Sequence, residues 1–159
     1  MTSFAKLMAA GAAGAILLAT AGMAGSHAAK SSNAAVAARH FQMQMVGYHI
    51  GILGAIAKGE MEYSAEQVDA AAQNLAHLAR MEQATLWVEG TEQGAADKSR
   101  AKAEIWQKPD EFDAKFEALA EASMALVGAA DAAAVGAGMG KLGGTCKDCH
   151  ETFRGPKNE

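Results

Sequence analysis

The sequence predicts an all-α fold: an antiparallel four-helix bundle with one longer crossover loop between its second and third helices. Three observations point that way. Alanine is abundant while β-branched residues are few, a composition that favours helix over strand. Apolar residues recur at spacings of three and four in four separate segments, as on one face of a helix. Both prolines, Pro109 and Pro156, fall where no helix needs to continue.

The first helix is expected from about Asn33 to Lys58, with Val36, Arg39, Met43, Val46, Ile50 and Leu53 on one face. Gly47, Gly51 and Gly54 each cost up to ~1 kcal/mol there against alanine, which suggests that a neighbouring helix or a bulky group comes close. Lys58-Gly59 supplies a stop. Ser64, with Gln67 three residues on, forms a capping box for the second helix. Its stripe of Val68, Ala72, Leu75, Leu78 and Ala79 fades near Trp87. The stretch VEGTEQGAADKSRAKAEIWQKPD has weak periodicity and reads as the crossover loop, with a short helical turn around Ala101 to Trp106. Pro109-Asp110 opens the third helix, carrying Phe112, Phe116, Leu119, Ser123 and Leu126 on one face. Asp131 caps the fourth, which runs through Val135, Met139 and Leu142 to about Arg154-Gly155. So many core alanines bury little apolar area, and such a bundle would gain from a large apolar group held between its helices.

Residues 1–28 read as a secretory signal peptide. Lys6 forms a basic start, an apolar Gly- and Ala-rich run follows, and Ser26-His27-Ala28 offers a small-x-small cleavage site. The run lacks the ~20 strongly apolar residues of a membrane span. Export by such a signal places the mature protein, residues 29–159, in the periplasm as one domain of about 130 residues. The whole chain carries 14 Lys and Arg against 18 Asp and Glu, and loss of Lys6 takes the net charge from −4 to −5. That balance argues against nucleic acid and anionic lipid as partners and fits a protein that meets other soluble proteins. No nucleophile, base and oxyanion arrangement is visible, so no enzyme is expected.

The chemistry concentrates in KLGGTCKDCHETFRG. Cys146 and Cys149 are the only cysteines, and His150 follows directly. Zinc needs four ligands, and with one cysteine pair it would have to borrow His40, His49 or His77. A thioredoxin-type redox pair sits at a helix N-terminus in a βαβ setting, and this chain has no strand pattern. A disulfide across two residues closes almost no loop and contributes little. C-x-x-C-H as a covalent c-type haem site accounts for every position. Residues i and i+3 share a helix face, so both thiols reach the two vinyl groups of one porphyrin edge, and His150 is carried under the ring to the iron.

The position of CKDCHETFR on the last helix, with AVAARHFQMQMVGYHIG on the first, resembles the class II c-type cytochromes, the cytochrome c-prime family. KGEMEY, NLAHLARMEQATLWVEGTE and AEIWQKPDEF extend the resemblance over the whole mature chain. It implies one haem c attached through Cys146 and Cys149, with His150 as proximal ligand. It also implies that Arg154 lies near the proximal face, Arg39 near the propionates, and Met43 at the distal position. Where many members have glutamine after the first arginine, this chain has His40. One branch of the family is low-spin, ligates iron through a helix-one methionine and carries electrons. The other keeps an open five-coordinate iron that binds nitric oxide or carbon monoxide. KGEMEY and NLAHLARME resemble the low-spin branch more.

Spacing alone puts Arg39 and Met43 on one face, four residues apart. A thioether opposite histidine raises the reduction potential into a range useful for electron transfer. Methionine on an apolar stripe is also ordinary core, so Met43 has a packing role as its alternative. His49 reads as a core or interface histidine, His77 as a surface one, and Trp87 and Trp106 as packing residues beside the loop. Residues 110–122 present a solvated acidic face, and Lys147 and Asp148 point outward, where they would shape docking of a periplasmic redox partner. The family also implies a homodimer through the first two helices.

Overall fold

The computed structural model describes residues 31–157, and the signal peptide expected over residues 1–28 lies outside the described residues. Among the described residues five helices occur in chain order: α1 Ala34–Ala57, α2 Ala65–Ala79, a single turn α3 Glu104–Gln107, α4 Pro109–Met124 and α5 Ala132–Phe153. The four long ones form the bundle. Around it α1 packs on α2, α2 on α4, α4 on α5, and α5 back on α1, while α3 leans on α4 and α5. Among the described residues there is no strand, only isolated bridges at Gln93–Ala96 and Ala101–Arg154.

Local signals set the helix starts. Asn33 Oδ1 accepts from the Val36 amide at 3.1 Å, Ser64 Oγ from Gln67 at 3.3 Å, and Asp131 Oδ1 from Ala134 at 2.8 Å. Each satisfies an N–H that the helix itself cannot. Pro109 occupies the first turn of α4, where its missing N–H costs nothing. Gly59, just past α1, has φ +73°, a left-handed conformation that a side chain would disfavour.

Two expectations need correction. The second helix ends at Ala79 rather than near Trp87. Beyond it only an isolated turn forms, with the Leu86 and Trp87 amides bonding Gln83 O at 2.9 and 3.0 Å, and the Leu86 carbonyl is taken by Arg39 Nη1 at 3.2 Å, a tertiary partner in place of a helical one. Of the three glycines on α1, only Gly54 meets a neighbouring helix: a methyl group there would lie 3.9 Å from Met139 Cε. Gly51 faces open space, and Gly47 borders the cavity described below with nothing within 4 Å of that position.

The bundle is filled unevenly. Leu53, Ile56, Val68, Leu75, Leu126, Val135 and Leu142 are fully buried at its middle and one end, with alanines between them. Toward the other end, where α1 begins and α5 finishes, aromatic rings take over. Phe112 makes edge contacts with Trp87, Phe116 and Phe153 at centroid distances of 4.8, 5.2 and 5.2 Å. These rings wall a gap rather than close it.

Candidate functional site

That gap is a cavity of about 410 Å³, within the range of small-molecule and cofactor sites. All six site residues expected from the sequence line it: Arg39 and Met43 from α1, Cys146, Cys149 and His150 from α5, and Arg154 at the α5 C-cap. Val46, Ile50, Phe112, Phe116 and Phe153 make the rest of its wall largely apolar. The two thiols are one turn apart on α5, both reduced and part-buried.

Burial pushes the Cys149 thiol up to about 11 and also raises that of Cys146. Both therefore stay protonated and neutral near pH 7. Burial, followed by the charges of Arg154 and Arg100, holds the His150 imidazole below its ordinary pKa. The neutral ring keeps a free nitrogen lone pair, the form that binds a metal. His40 is lowered for similar reasons, first by burial and then by Arg39 and Lys98.

Arg39 is heavily committed. Its Nη1 donates to Thr91 Oγ1 at 2.8 Å as well as to Leu86 O, and its Nη2 donates to Thr91 O at 2.6 Å and Ser99 Oγ at 2.7 Å. The guanidinium also stacks 4.8 Å from the Trp87 ring centroid, a cation–π contact. Every one of these partners is neutral, and burial lowers the Arg39 pKa to about 10. A buried cation is normally matched by an anion. Here it lines the cavity beside an imidazole and two thiols, a donor set that suits an apolar macrocycle bearing carboxylates.

Sequence reading missed Arg100, which also lines the cavity. Its Nε and Nη2 donate to Gly155 O at 2.9 and 2.6 Å, and its Nε to Pro156 O at 2.9 Å. Lys102 Nζ reaches Glu151 O and Thr152 O at 2.9 and 3.1 Å. These bonds fasten the end of α5 to the crossover loop. Only the basic run Lys98, Arg100, Lys102 hinted at this in the sequence. Trp87 does pack as expected, and its ring forms part of the cavity wall. His49 is buried, while His77, Lys147 and Asp148 are exposed, as expected.

A helical bundle presenting C-x-x-C-H to an apolar cavity defines a c-type cytochrome, and comparison with known proteins gives the family. The family described as Cytochrome C' matches residues 34–154. A cytochrome c' of Cereibacter sphaeroides is 41% identical over 143 residues, covering 87% of this chain and 96% of the relative. A cytochrome c-554 of the same species is 40% identical over 118 residues, covering 73% and 89%. Among solved structures, a cytochrome c' from Rhodobacter spheriodes superposes with a TM-score of 0.72 at 40% identity, covering 77% of this chain and 96% of that one. The chain belongs to the cytochrome c' family of class II c-type cytochromes. No described helix is long and apolar enough to cross a membrane.

Proposed function

We propose that this protein is an exported monohaem cytochrome that carries single electrons between soluble redox proteins of the periplasm. In this reading residues 1–28 direct export and residues 29–159 form the cytochrome domain. Cys146 and Cys149 anchor one haem c as thioethers, His150 is the proximal ligand and Met43 the distal one. The bound haem supplies a one-electron couple on its iron. Arg39 offers a fixed positive charge to the propionates, Arg154 lies near the proximal side, and the aromatic wall excludes water. The observation that carries the reading is that Met43 and His150, from different helices, line the same apolar cavity as both thiols. Nothing in this arrangement calls for enzymatic turnover. Exposed Phe41, Met45 and Tyr48 on α1 support a homodimer through α1 and α2.

One observation favours the second reading, an open iron that binds carbon monoxide or nitric oxide. Gly47 borders the cavity without a side chain and leaves space on the α1 side for a diatomic ligand. Absorption spectra of the haem-loaded protein and its Met43→Ala variant separate the two. A low-spin spectrum with a methionine-to-iron charge-transfer band, lost in Met43→Ala, is expected for the electron carrier. A high-spin spectrum that ignores the substitution and shifts on adding carbon monoxide establishes the gas binder instead.

A further inference from the structure

Charge is unevenly placed along the wall of the cavity that holds both thiols. Arg39, Arg100 and Arg154 all stand toward the end where α1 begins and α5 finishes, and no described carboxylate lines the cavity. Val46, Ile50 and Cys146 line the apolar end. A macrocycle anchored at the two thiols therefore has one charged end open to its carboxylate edge. The three arginines are not equivalent there.

A guanidinium carries five N–H groups. Arg39 spends all four of its Nη hydrogens on Leu86 O, Thr91 Oγ1, Thr91 O and Ser99 Oγ. It brings charge to the cavity, but no free fork with which to grip both oxygens of a carboxylate. Arg154 is exposed at the α5 C-cap, one turn beyond His150, so water competes for its donors. Arg100 is half-buried and held from behind. Its Nε and Nη2 donate to the Gly155 and Pro156 carbonyls, and its own carbonyl accepts from the Gly155 amide at 2.7 Å. Both hydrogens of Nη1 and one of Nη2 have no partner among the described residues, and the side chain lines the cavity. A fork already fixed in place loses little further freedom when it binds.

We propose that Arg100, and not Arg39, makes the direct two-bond contact with a haem propionate, while Arg39 contributes charge alone. This rests on the haem reading above but not on whether Met43 ligates the iron. The test is the resonance Raman spectrum of the reduced, haem-loaded protein, in which the propionate bending band moves to lower frequency when the carboxylate loses a hydrogen bond. Arg100→Gln is expected to lower that frequency, and to lower the reduction potential because a cation that opposed the ferric state is gone. Arg100→Lys is expected to restore the potential but only part of the band position, since it keeps the charge without the fork. Arg39→Gln and Arg154→Gln are expected to leave the band in place. So is Gln93→Ala, which frees the same tail at Pro156. A band that moves as far in Gln93→Ala as in Arg100→Gln overturns the proposal, because the tail then sets it. A band that follows Arg39 or Arg154 but not Arg100 overturns it too. So does a fall in potential with the band unmoved, since the charge then acts at a distance. Spin-state bands in the same spectrum report the Met43 question separately, and a protein without haem absorbance overturns both the haem reading and this contact.

Discussion

Arg39 Nη2 and Ser99 Oγ lie 2.7 Å apart although 60 residues separate them in the chain. Through this bond and its companions at Leu86 and Thr91, one side chain of α1 ties down the crossover loop along the edge of the cavity lined by Cys146, Cys149 and His150. Truncating it removes four hydrogen bonds and the cation stacked on Trp87, leaving Ser99 Oγ still donating to Thr91 O at 2.6 Å. Arg39→Ala is therefore expected to lower stability by about 3 kcal/mol, read as a fall in denaturant midpoint. Arg39→Lys recovers only part of this, because a point charge cannot replace a planar fork.

Gln93 and Pro156 form a second fastening. Gln93 Nε2 donates to Pro156 O at 3.1 Å, and a methyl group added at Gly155 would fall onto Gln93 Oε1. Gly155→Ala must displace that flexible side chain, with an expected loss of about 1 kcal/mol from its bond to Pro156 O. Arg100→Ala removes two bonds to the carbonyl of buried Gly155 and one to exposed Pro156, and costs about 1–3 kcal/mol. Both variants should also increase hydrogen exchange at the Gly155 amide, which donates to Arg100 O at 2.7 Å.

If both thiols anchor haem, the singly substituted Cys146→Ser and Cys149→Ser proteins retain it through one thioether, while the double variant loses it on acid denaturation. Mass spectrometry of the denatured proteins reads this directly. Full retention of haem mass by the double variant would exclude attachment at these residues.

Asp148, inside the C-x-x-C-H segment, accepts from Lys115 Nζ at 2.7 Å, with Asp148 well exposed. Despite the short distance, solvent screening limits such a pair to less than about 1 kcal/mol. Asp148→Asn should leave thermal stability and the absorption spectrum nearly unchanged. Under the proposed electron-carrier role, any effect belongs in the rate of electron exchange with a charged partner and in its salt dependence.

The long helices were legible because their signals are local. Asn33, Ser64, Pro109 and Asp131 each mark a start within four residues of the groups they serve, and the structure puts all four in those places. The C-x-x-C-H segment was legible for the same reason, since i and i+3 on a helix share a face wherever that helix goes. The end of α2 was not. Trp87 and Leu86 continue a tolerable helical pattern and their amides still bond Gln83 O, but the Leu86 carbonyl goes to Arg39, 47 residues away, and no window of sequence around it shows that.

By itself, then, the sequence determined an all-α chain of four long helices whose last carries two thiols and an imidazole on one side. Tertiary structure alone decided that Met43 and His150 border one cavity, that Arg39 spends its donors on the crossover loop, and that Arg100 and Lys102 hold the end of α5. The physical reason is range. Helix propensity and capping act over one turn, whereas a loop without periodicity takes its shape from side chains about 50–60 residues away that must satisfy its carbonyls.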